Sequence, residues 1–274
     1  MSESTQVVMS VDMELMGPNH PIKAIGAAIT LQPSNQRVAE FKVALVTNTY
    51  KGQTAKEYWM HPDNAKMRSF IFSAIMDLSD REVIFRNCGF DFHCLKQFWL
   101  KHIPLLRELD NCAVPYNRAI SQFLWFYEQQ SRQFGDSLIV VSDNPAVDMA
   151  LVNKILAQRN LLPVSYSRPG CYRDIIDVRM LIKGIMGVTD PKDTTYIKKF
   201  CDHFHLPFPK TNHDPLADAL KMAQLYGYVL RVCRQKQVSK SSSPLPAPLP
   251  PVSQSDPAHI STFVTTPPIV PTLH

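Results

Sequence analysis

The 274-residue sequence has no apolar run that approaches the length of a membrane span. Its first residues, MSESTQVV, lack the basic and apolar regions of a secretory signal, so a cytoplasmic or nuclear setting is expected. There is no CxxC pair and no internal repeat. The six cysteines, Cys88, Cys94, Cys112, Cys171, Cys201 and Cys233, are scattered, which argues for reduced thiols over a disulfide framework or a zinc site. Neither sign of charge dominates: a net charge of +5 and a pI of 8.8 suit a polyanionic ligand but are shared by many proteins that bind none. What is present is ordinary for a globular chain, with 45% hydrophobic and 19% charged residues, enough to bury one large core or two small ones.

From about Ser239 onward, SKSSSPLPAPLPPVSQSDPAHISTFVTTPPIVPTLH replaces periodic apolar residues with proline and serine. Such a segment buries too little to offset its ordering entropy, so residues 239–274 are expected to be a disordered or polyproline-like tail and residues 1–238 the folded domain. Within that domain, TQVVMSVDMEL, IKAIGAAITL and AEFKVALV are three β-rich runs separated by turn compositions, a meander. Helix formers follow around Ala65 to Leu78 and again through AISQFLWFYEQQSRQF, and a helical insert is expected from about Asn87 to Phe134. DSLIVVSDN reads as a buried strand leading into PAVDMALVNKILAQRNL, an amphipathic helix with Pro145 at its start and Val147, Leu151, Val152 and Ile155 as its stripe. LPVSYS reads as one more strand, and RDIIDVRMLIKGI, TTYIKKFCDHF and PLADALKMAQLYGYVLRVCRQK as helices. Strands followed by strands alternating with helices imply an α/β fold, a mixed sheet with helices on its faces.

Several acidic side chains sit where these elements end. Asp12 and Glu14 lie two apart on the first strand, so both project to one face. Adjacent carboxylates repel unless a cation joins them, which makes the pair half of a site for a hard divalent metal or, as often happens, the solvated end of an edge strand. Asp148 falls on the helix after a buried strand, where the macrodipole alone would favour an acid. Asp143, at the strand exit, suits either a cap or a binding role. In NHDPLADAL, Asp214 followed by Pro215 fits an N-cap with proline at the first helical position, which leaves His213 and Asp218 unexplained by local structure. CDHFH, residues 201–205, would put Cys201 and His205 on one helical face, better read as packing than as a metal site.

Taken together, VVMSVDMELMG, VVSDNPAVDMALVNKIL and HDPLADA resemble the three motifs of the histidine-containing branch of the DEDD 3'-5' exonucleases, with His213 and Asp218 in its H-x4-D spacing. The wording of DMELMG and SDNPAVD is most similar to phage and viral exonucleases and to exoribonucleases related to RNase T. The resemblance runs from Val7 to Tyr228. Where many members carry His-Asn, this chain has Ser142 and Asp143. Asn87 and Asp91 in FRNCGFDFHCL imitate the second motif but lie too far ahead of His213, so Asp91 is expected to cap a helix or face solvent.

The resemblance implies a ribonuclease H-like fold and a two-metal site for hydrolysing nucleic acid from its 3' end, with release of nucleoside 5'-monophosphates. Two Mg2+ ions, with Mn2+ as substitute, would lie roughly 4 Å apart. Asp12, Glu14, Asp148 and Asp218 would hold them: Asp12 bridging, Glu14 and Asp218 completing the shell around the attacking water, and Asp148 supporting the set. His213 would be the general base, acting with Glu14 as the catalytic pair. Leu15, Met16 and Asp143 would contact substrate, although Leu15 and Met16 equally suit a core. The implied partner is a single-stranded 3' end, RNA favoured over DNA, and no membrane. A protein docking on the tail and a second copy of the chain stand as further partners. The competing reading is an inactive binding module that kept the fold.

Overall fold

A computed structural model describes residues 5–17, 20–161, 164, 175–190, 193–209 and 213–241, the last six of these as backbone only. Apart from Val164, which pairs with the Asn153 side chain, the expected strand in LPVSYS falls outside these described residues, as do Cys171 and the expected tail beyond 241. The meander is present as β1 (Gln6–Leu15), β2 (Ile22–Gln32) and β3 (Gln36–Ala44), paired antiparallel in sequence order. β6 (Leu138–Ser142) joins β1 in parallel and β7 (Ile175–Asp177) joins β6 in parallel, giving a five-stranded sheet of order β3-β2-β1-β6-β7. This is the mixed sheet flanked by helices that the sequence leads one to expect.

One element differs from the sequence expectation. Ile175–Asp177 is a strand, whereas the run RDIIDVRMLIKGI reads as helix throughout. Three residues cannot announce a strand by periodicity, and pairing with β6 over Val140, Val141 and Ser142 is what extends them. Helix α8 (Val178–Met186) begins directly afterwards, with Asp177 capping Met180 N–H.

Alternation along β1 decides what each face meets. Met9, Val11 and Met13 pack with Phe123 of α6 (Tyr116–Phe134) and Val152 of α7 (Asp148–Ala157). The other face carries Val8, Ser10, Asp12 and Glu14, and Val8 packs with Tyr226 and Val229 of the long helix α10 (Pro215–Ser241) beside α8 and α9 (Tyr196–His203). The acids of β1 therefore point toward the α10 layer. β2 is buried along nearly its whole length, as befits a strand covered on both sides.

Between β3 and α6 the chain makes a short hairpin, β4 (Thr49–Tyr50) and β5 (Gln53–Thr54), and helices α1 (Ala55–Met60), α2 (Ala65–Ala74), α3 (Leu78–Arg86), α4 (Phe92–Gln97) and α5 (Ile103–Cys112). These build a second core around Trp59, Ile84, Trp99 and Leu106. The insert thus starts well before Asn87 and does not include α6, because the apolar stripe of α6 faces the sheet. No helix among the described residues is long and apolar enough to cross a membrane.

Lys23 on β2 ties the two cores together. Its side chain is fully buried, and Nζ donates to Leu45 O, Thr47 Oγ1, Asn87 Oδ1 and the Asp110 carboxylate of α5. Burial lowers the Lys23 pKa, and Asp110 opposes that fall. Removing one partner of such a pair strands the other charge. Lys23→Met is expected to cost about 3 kcal/mol in urea unfolding, with part of that recovered by adding Asp110→Asn; equal stability of Lys23→Met and wild type would contradict this account.

Candidate metal centre

The centre forms where β1, β6 and β7 end and α10 begins. Asp12 and Glu14 lie on the α10 face of β1, and the glycine opposite Asp12 in the β1–β2 register is Gly26. A Cβ there would stand 2.1 Å from the Pro215 carbonyl carbon and 2.3 Å from Leu216 N. Helix α10 can start directly against the sheet only because that side chain is missing. Asp214 caps it, Oδ1 accepting from Leu216 and Ala217 N–H at 3.0 Å each, and also pairs with Lys42, which reaches Glu108 of α5 at 3.1 Å. Lys42 and Gly26 sit opposite one another in register, so one row across three strands holds Asp12, the glycine gap and the clamp on the helix cap.

Asp218, one turn into α10, completes a triple: Asp12, Glu14 and Asp218 each offer a carboxylate oxygen, all within 4.8 Å of one another. Asp148, at the first turn of α7, is buried outside that triple, and Ser142 Oγ donates to its Oδ2 at 3.0 Å. Its charge still bears on both Asp12 and Glu14. Four acids from three distant segments therefore form one electrostatic unit.

Their titration says what the unit lacks. Burial, then the charges of Glu14, Asp148, Asp218 and Asp143, raise the Asp12 pKa well above the usual carboxylate range. Burial and the neighbouring acids push Glu14 up to about 8. Burial and Asp143 raise Asp148 to about 7, against the Ser142 hydrogen bond and Arg179. Asp218 is raised too, chiefly by burial, and its buried Oδ1 has no hydrogen-bond partner. Oxygen donors that repel each other, one of them orphaned, fit a hard divalent cation.

His213 precedes the α10 cap in a left-handed conformation, φ 55°. Its half-buried ring packs 4.4 Å from that of His102, just before α5, and 5.2 Å from that of Phe98. Burial, then His102 and Lys221, lower its pKa, with Asp218 opposing, so the imidazole is neutral near pH 7.

The insert closes over the end of β1. Trp99 Nε1 donates to Leu15 O at 3.0 Å, and Asp91 N–H donates to Met16 O at 3.0 Å. Asp91 itself N-caps α4 through Cys94 N–H at 2.9 Å, as a capping residue and apart from the carboxylate unit. Leu15 is half-buried beside Glu14, whereas Met16 has no exposed surface and packs in the insert core, so it presents nothing to a substrate in this structure.

Three local expectations are corrected here. Asp143 does not cap α7, which has no side-chain cap; it is half-buried and pairs with Arg179 of α8 at 3.0 Å. α7 begins at Asp148, with Pro145 in the turn before it, and Val147 is exposed rather than part of the stripe. α9 ends at His203, and His205 is an exposed residue at φ 52°, so Cys201 and His205 do not share a helical face. Sequence reasoning noted Ser142 only as a departure from the resembled motif and passed over Arg179, His102, Lys42 and Gly26. Only Gly26 had a readable signal, a lone glycine in the middle of an otherwise branched and apolar strand.

Fold and site together define an α/β protein with a cluster of carboxylates where β1 and β6 end and α10 begins. No protein-family model matches the chain, and no curated protein matches it. Among solved structures it is similar to the nuclease domain of 3'hExo, described as a DEDDh family member bound to rAMP, at 11% identity and TM-score 0.49 over 85% of this chain and 95% of that one. It is also similar to cell-death related nuclease 4 (CRN-4), at 12% identity and TM-score 0.45 over 83% of this chain and 64% of that one, less than two thirds of its length.

Proposed function

We propose that this chain is a metal-dependent 3'-5' exonuclease that hydrolyses the terminal phosphodiester of single-stranded nucleic acid and releases nucleoside 5'-monophosphates. The observation that carries the reading is the convergence of Asp12, Glu14, Asp148 and Asp218 into one half-buried, mutually repelling unit, beside a histidine whose pKa is lowered. These four residues would hold divalent cations, Mg2+ with Mn2+ as substitute. When bound, such ions supply the positive charge that lets a polyanion approach four carboxylates, acidify water and stabilise a departing 3' oxygen.

The chain's own groups do the rest. His213, neutral near pH 7, accepts a proton from the attacking water on an imidazole nitrogen, and its ring is steadied by Phe98 and His102. Ser142 orients Asp148 through its hydroxyl, and Leu15 offers an apolar edge to the terminal base. RNA as the favoured substrate follows from the sequence resemblance to RNase T-like exoribonucleases.

The test uses matched 5'-labelled RNA and DNA oligomers with Mg2+ or EDTA. Stepwise shortening from the 3' end, loss of all cleavage in EDTA, and a drop of about 10^2- to 10^4-fold in His213→Ala are expected. Cleavage that persists in EDTA, or in His213→Ala at the wild-type rate, would remove the assignment.

A further inference from the structure

Among the described residues at the same end of the sheet is Arg179, a cation that the proposed reaction does not use. β1 and β6 run parallel with Ser10 level with Val141, and β6 and β7 with Ser142 level with Asp177. Asp12 lies two residues beyond Ser10, Asp143 one residue past the end of β6, and Arg179 two residues past the end of β7 in the first turn of α8. Moving sideways from the carboxylates over the strand ends, one meets Asp143 and next the guanidinium. Asp143 lies near enough for its charge to act on Asp12, Asp148 and Asp218.

The guanidinium is only partly used by the protein. Arg179 Nη2 donates to Asp143 Oδ2 at 3.0 Å, and the Tyr196 hydroxyl lies near enough for the guanidinium charge to act on it. Nε is buried with no hydrogen-bond partner, while 42% of the side chain is exposed. An arginine has five N–H donors in a planar fork suited to a phosphate or carboxylate. This one is aimed and held by a carboxylate, and among the described residues nothing else takes its exposed donors, at the rim of a site that must take a polyanion. Asp143 accounts for the aim but not for the unused donors.

We propose that Arg179 binds a backbone phosphate of the nucleic-acid strand 5' to the bond being cut, with Asp143 as the residue that positions it. This rests on the exonuclease reading. The cleaved nucleotide fills the carboxylate site, and only the 5' remainder of the strand extends beyond it toward α8. Asp143, standing where a neutral residue would add no further repulsion, is tolerated because Arg179 balances its charge.

Binding of a fluorescein-labelled oligouridylate, followed by anisotropy with Ca2+ in place of Mg2+ and KCl varied between about 50 and 200 mM, tests this. Arg179→Met is expected to weaken binding roughly tenfold and to make the slope of log K against log salt shallower by about 0.7, the loss of one phosphate contact. Arg179→Lys should keep the wild-type slope while losing part of the affinity, since an ammonium cannot form the fork. Asp143→Asn should also keep the slope. A merely structural arginine would leave the slope untouched however much Arg179→Met destabilised the fold, so an unchanged slope in Arg179→Met overturns the proposal. Cleavage by wild type in Mg2+ is followed in parallel: active wild type with an unchanged slope in the variant sinks this proposal alone, whereas wild type that neither binds nor cuts sinks the nuclease reading and this with it.

Discussion

Asp12→Asn is expected to abolish nuclease activity, by about three orders of magnitude, and at the same time to raise the melting temperature of the metal-free protein above pH 7. The two effects have one cause. Asp12 is shifted well above the usual carboxylate range, held among Glu14, Asp148 and Asp218 in a half-buried site, where its negative charge serves a cation. Asparagine keeps the shape and discards the repulsion.

The pH dependence follows with a sign opposite to that of an ion-paired carboxylate. A carboxyl whose pKa is raised on folding holds its proton more tightly in the folded state. Its contribution is fully present below the unfolded value, about 4, and is lost as pH rises through the folded values, about 7 for Asp148 and about 8 for Glu14. Metal-free wild type should therefore lose stability between those limits, Asp12→Asn should lose less, and Mg2+ added at pH 8 should restore stability and release protons. Thermal melts across pH, with and without Mg2+, check all three. A metal-free wild type whose melting temperature rises steadily from pH 5 to 8 would show that the acids are not coupled as described.

Gly26→Ala should lower kcat by about a hundredfold while the chain stays folded. The added methyl meets backbone, the Pro215 carbonyl and Leu216 N, and backbone at a capped helix start cannot swing aside as a long side chain can. Either β2 or the start of α10 must move by the order of an ångström, and α10 carries both Asp218 and, through its cap, His213. A shift of that size at reacting groups costs about 10^2 in rate, whereas the packing penalty is about 1–3 kcal/mol. Gly184→Ala is the control: it lies in helix α8 with nothing within 4 Å of the added carbon, so it should leave the rate unchanged and the protein slightly more stable. Comparable rate losses in both variants would mean that the α10 contact does not set the site.

The amino-acid order alone determined what depends on near neighbours. Period two in VVMSVDMEL places Asp12 and Glu14 on one face of β1, Asp214 with Pro215 starts α10, and Asp91 caps α4, because alternation, capping and proline geometry act within a few residues. The identity of the four acids was legible by resemblance, from motif wording and spacing. Their convergence was not, since it depends on sheet register and on how closely α10 approaches the strand beneath Gly26.

Tertiary structure alone decided the rest. Ile175–Asp177 became a strand only by pairing with β6, and Met16, next to residues that line the site, was drawn into the insert core. Asp143 found Arg179 rather than a helix to cap, and His213 found His102, partners more than thirty residues away in each case. A charge or ring takes its role from what the fold packs against it, and contacts between remote segments leave no periodic trace along the chain.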